Sequence, residues 1–79
     1  MTHFIEVTEG ALADLQPARP RARREVVKLA LGEVIEGPVR CYVEDLGKNR
    51  LVEVADIALA GGTGTLRRVP CRSFRLRDG

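Results

Sequence analysis

Proline and glycine punctuate this chain, and the stretch that most constrains its fold lies between Pro20 and Gly37-Pro38. Proline lacks an amide donor, fixes its own φ and restricts the residue before it, so the interior of a regular element rarely spans one. Between these stops, Arg21 to Glu36 holds a single glycine, Gly32. Val27, Ala30, Leu31, Val34 and Ile35 recur there at the spacing of one helix face, and Val26 and Leu29 widen the stripe. Pro20 suits the position just ahead of a first helical turn, and Gly37-Pro38 suits a stop. The pattern predicts one main helix over 21–36. Each large aliphatic residue it buries contributes roughly 1.5–3 kcal/mol.

The flanking segments read mainly as strands. Phe4 to Thr8 is β-branched and aromatic, with Glu9-Gly10 as a break after it. Ala11 to Leu15 has room for a short helix of one or two turns before Pro17. Val39 to Glu44 alternates, Leu46 to Asn49 reads as a turn, and Leu51 to Ile57 as the returning strand of a hairpin. Ala58 to Ala60 either extends that strand or begins a loop, and Gly61-Gly62-Thr63-Gly64 is a flexible connection. Leu66 to Val69 and Cys71 to Arg77 form one strand bent at Pro70 or two short ones, with the proline pointing to a sheet edge or a bulge. The expected fold is α+β: an N-terminal strand, one main helix with a short helix before it as an option, then a three- to four-stranded antiparallel sheet. It forms a single domain over 1–79, since a chain of 79 residues has room for one core. A domain this small buries only about 60% of its unfolded surface, so a partner or a second copy paired through an edge strand is one route to added stability.

Several classes of chemistry are poorly served by this composition. Phe4, Tyr42 and Phe74 are the only aromatic residues, which leaves an aliphatic core and few rings for stacking on single-stranded nucleic acid. Cys41 and Cys71 are too few for a disulfide framework and read as two reduced thiols. His3 is the sole histidine and no Cys-x-x-Cys occurs, so neither a metal site nor a cofactor is expected. A catalytic triad would depend on that one terminal histidine. Glu44, Asp45, Glu53 and Asp56 lie across the expected hairpin, where solvated strand faces carry the same pattern as paired catalytic carboxylates. The start Met1-Thr2-His3-Phe4-Ile5-Glu6 has no leader character and no stretch is apolar enough to span a membrane, so the cytoplasm is the expected compartment.

Charge is the most informative feature. The net charge is +2, but residues 61–79 carry Arg67, Arg68, Arg72, Arg75 and Arg77 against Asp78 alone. A second cluster, Arg19, Arg21, Arg23 and Arg24, precedes the expected helix. Cations there oppose the partial positive charge of a helix N-terminus. These arginines either await an anion, such as a phosphate backbone or an acidic protein face, or cover the core and pair with Glu9, Asp14 and Glu25. The C-terminal row either binds, through the planar guanidinium fork that suits phosphate and carboxylate, or guards an edge strand. Gly61-Gly62-Thr63-Gly64-Thr65 can offer amides to an anion, but it lacks the Gly-Lys-Ser/Thr ending of a phosphate loop and reads first as a hairpin connection. Together the two clusters predict a small non-enzymatic binding or regulatory protein that contacts nucleic acid or an acidic protein. Docking on a larger acidic partner as an inhibitor or assembly protein is the alternative.

Two stretches resemble the RelE/ParE toxin superfamily. Phe4 to Leu15 is similar to that family's first strand running into its first helix, and the segment with Arg24, Val27 and Leu31, closed by Gly37-Pro38, to its second helix. Ser73-Phe74-Arg75-Leu76-Arg77 resembles its late strand, with Phe74 where a tyrosine is usual. The resemblance implies a sheet over a helical hairpin and a toxin acting by ribosome-dependent mRNA cleavage or gyrase inhibition. Arg68, Arg72 and Arg75 would then be the anion contacts. Residues 39–65 have no counterpart in that pattern.

Overall fold

The computed structural model describes residues 3–77, so Met1, Thr2, Asp78 and Gly79 lie outside it. The described chain is almost entirely β. Its strands are β1 (His3–Val7), β2 (Ala11–Pro17), β3 (Glu25–Leu29), β4 (Val34–Gly37), β5 (Val39–Asp45), β6 (Leu51–Ala58), β7 (Gly64–Pro70) and β8 (Phe74–Arg77). One turn of 3-10 helix, Cys71–Ser73, links the last two. A three-stranded antiparallel sheet has the order β4-β1-β8, and a five-stranded one the order β3-β2-β7-β6-β5.

The α+β expectation is therefore corrected. The segment expected as the main helix is two strands and a turn, and the optional short helix is β2. The helical spacing over 21–36 belongs to two separate strand patterns. Val26, Val27, Val34 and Ile35 are β-branched, and their stiff χ1 suits a pleated surface better than a helix. Gly32, at φ 86°, turns the chain between them in the left-handed region. That turn is held by the Glu33 amide donating to the Ala30 carbonyl and by the Gly32 amide donating to Val7. Of the expected stripe, Leu29 is buried and Val27 and Ile35 pack against the core, whereas Leu31 and Val34 are exposed. The helical hairpin that the toxin resemblance implies has no counterpart here: residues 11–17 and 25–29 pair with one another as strands.

The strand readings fare better. Phe4 to Thr8 corresponds to β1, the hairpin over 39–57 is β5 and β6, and the C-terminal region is two strands broken after Pro70. Ala58 closes β6. β7 lies between β2 and β6, so Pro70 sits at the end of an internal strand rather than on an edge.

The two sheets share one aliphatic core. Ile5 and Val7 from the small sheet meet Ala13, Leu29, Ile57, Leu66 and Val69 from the large one. β4 runs into β5 through Pro38, so a single bent strand passes from one sheet to the other. Beside this corner the Ala58 amide donates to Pro38 and the Ala60 amide to Glu36, which extends β6 along the bend.

Candidate functional site

The two arginine clusters occupy different environments. The C-terminal row is largely neutralised. β6 and β7 carry a bulge in which Asp56 faces both Arg67 and Arg68, with Arg68 at φ 59°. The Asp56 carboxylate accepts from the Tyr42 hydroxyl at 2.9 Å and from the Arg68 amide at 3.1 Å, and pairs with the Arg67 guanidinium at 3.5 Å. The Arg68 side chain reaches Glu44, which favours its charged form further. On β1, Glu6 lies opposite Arg75 and takes that guanidinium at 3.0 Å, with Arg77 at 3.8 Å. Arg72, exposed on the 3-10 turn, is the one member of the row with no carboxylate among the described ion pairs. Four of the five are thus spent on Glu6, Glu44 and Asp56; of the hairpin carboxylates, Glu44 and Asp56 serve this network, while Asp45 accepts from the Gly47 amide.

Arg19, Arg21, Arg23 and Arg24 have no such partners. They form the tip between β2 and β3, all are exposed, and none joins an ion pair among the described residues. The conflict with a helix dipole disappears with the helix. Neither Glu9, Asp14 nor Glu25 reaches them within the described ion pairs. The backbone adds a second feature. The Ala22 amide donates to the Arg19 carbonyl at 3.2 Å across Pro20 and Arg21, and Arg21 stands at φ 63°. Proline followed by a left-handed residue is the order of a type II turn, whose third position favours glycine. Arginine there costs about 1–2 kcal/mol of backbone strain.

The tip does not stand alone. Pro17 pairs with Gly64 and the Ala18 amide donates to Thr63 at 3.1 Å, so the arginine turn adjoins the glycine-rich β6–β7 connection at one end of the large sheet. Sequence reading found both segments but had no signal that they meet, because the contact depends on β2 pairing with β7.

A separate groove, about 440 Å³, opens between β5 and β8. Cys41, Val43, Cys71, Phe74 and Leu76 line it, with Glu53 at its rim. Burial, the neighbouring Cys41 thiol and the Glu53 charge all push the Cys71 thiol above its ordinary pKa. Tyr42 is raised too, by burial first and then by its bond to Asp56. Both shifts favour the protonated group. No three His, Cys, Asp or Glu side chains stand together as a metal site among the described residues. No described helix is long and apolar enough to cross a membrane. No protein-family model, no curated protein and no solved structure matches this chain.

Proposed function

We propose that the protein is a non-enzymatic nucleic-acid-binding module that engages the phosphate backbone of a duplex through Arg19, Arg21, Arg23 and Arg24. The observation that carries this reading is the contrast between the clusters: four of the five C-terminal arginines are tied to carboxylates, while the four exposed arginines of the β2–β3 connection have none among the described residues. A strained turn that tolerates arginine where glycine would be cheaper supports the same reading. The adjoining glycine-rich loop lets a backbone come close to the tip. A duplex is favoured over a single strand because aromatic surface for stacking is scarce: Phe4, only 37% exposed, is the sole large exposed aromatic. Such contacts position a protein on nucleic acid without reading its sequence.

Titration of a labelled duplex by fluorescence anisotropy at increasing salt tests this. Each phosphate neutralised contributes a slope of about −0.9 in log K against log salt, so a four-arginine contact predicts a slope of roughly −3 to −4. Binding that is flat between ~50 and ~200 mM salt, or absent, refutes the reading. Salt-sensitive capture of an acidic protein in place of DNA or RNA would move the tip to the protein-docking alternative.

A further inference from the structure

The outer edge of β5 has no strand partner among the described residues, since β5 pairs with β6 alone. It is seven residues long and borders the β5–β8 groove with three consecutive residues, Cys41, Tyr42 and Val43. Glu53 of β6 lines it as well, so the groove reaches over the face of the β5–β6 pair beside that edge. Val43 and Leu76 remain 57% and 55% exposed there. A long edge with adjacent apolar surface is a site for strand addition.

We infer that this edge is a homodimer interface, in which β5 of a second copy pairs antiparallel about a two-fold axis at Tyr42. A two-fold axis normal to a sheet places one residue opposite itself, and the side chains of facing residues then share a side. With Tyr42 on the axis, Arg40 faces Glu44 of the second copy, and Cys41 faces Val43. Arg40 and Glu44 meet twice, on the side of the sheet away from the groove, where each Glu44 already holds Arg68 of its own chain and so faces a cation from each copy. The apolar pair falls on the groove side, where the added strand covers the mouth next to Phe74 and Leu76. Axes at Cys41 or Val43 give no such match. Central axes on the β8 and β3 edges give no such charge match. On β8 an axis at Leu76 sets Arg75 against Arg77, and on β3 an axis at Val27 sets Glu25 against Leu29 and Val26 against Lys28.

This dimer is independent of the arginine tip, and a charge swap tests it. In sedimentation equilibrium the wild-type chain forms a species of twice the chain mass. Arg40→Glu alone and Glu44→Arg alone each raise the dimer dissociation constant by roughly tenfold or more, because like charges then face each other twice. The double variant Arg40→Glu/Glu44→Arg, which gives up the Glu44–Arg68 pair within each chain, dimerises more tightly than either single variant. Wild-type amide exchange supplies a readout that no variant's misfolding can obscure: β5 amides slow as concentration rises, while those of β3 and β8 do not. A wild-type monomer at all concentrations overturns the inference. So does a dimer that leaves β5 exchange unchanged, or a folded double variant that stays as weak as the singles.

Discussion

On the proposed reading, Arg21 sets stability against binding in a single residue. Its φ of 63° is expensive for arginine and free for glycine. Arg21→Gly is therefore predicted to keep or raise the melting temperature, while weakening duplex binding and lowering the salt slope by about one phosphate. A variant that melts several degrees lower would show that the Arg21 side chain supports the fold. Arg68 also stands in the left-handed region, but its strain has an internal return. The bulge that imposes it delivers its amide to Asp56 and its side chain to Glu44. Two arginines with the same backbone anomaly thus differ in whether the side chain meets a carboxylate among the described residues.

Among the elements, the bent strand β4–β5 decides whether two sheets close on one core. Gly37 sits at the bend, and a Cβ there would lie 1.8 Å from the Ala58 carbonyl oxygen and 2.9 Å from its carbon. Backbone cannot yield as a side-chain end does. Gly37→Ala is predicted to cost ~3 kcal/mol, the upper end for overpacking, a large share of the ~5–15 kcal/mol that holds a domain together. Chemical denaturation measures it, and Gly32→Ala, with open space around its Cβ, is the milder control. Gly37-Pro38 was legible as a boundary, but a helix stop and a sheet corner use the same residues. The strands with strict alternation or a clear turn, β5 and β6 above all, could be read directly. The segment 21–36 could not, because Val-Val and Val-Ile pairs seven or eight residues apart fall at the helical repeat and also suit two strands joined by a turn. The arginine clusters were visible as composition. Their difference was not, since Asp56 meets Arg67 and Arg68 only through a bulge, and Glu6 meets Arg75 only through the pairing of the first strand with the last. The β5 edge did carry a signal, the placement of Arg40 and Glu44 at equal distance from Tyr42, but nothing in the chain marked that strand as an edge.

For the molecule as a whole, the two arginine clusters separate into one in which four side chains fasten the outer faces of the sheets and one at the β2–β3 end with no carboxylate partner among the described residues. If β5 pairs as inferred, each dimer carries two such tips, and a duplex contact gains from both being linked. The division itself is the central claim, and melting and duplex binding measured together on two variants test it most directly. Arg19→Ala/Arg21→Ala/Arg23→Ala/Arg24→Ala should abolish salt-dependent binding and leave the melting temperature nearly unchanged. Arg67→Ala/Arg75→Ala should retain binding and melt a few degrees lower, because exposed ion pairs contribute only ~0.2–1 kcal/mol each and ~1 kcal/mol shifts a domain of this size by about 4–8 °C. Binding that survives loss of the tip, or that disappears with Arg67 and Arg75 while the fold melts as before, would contradict the account.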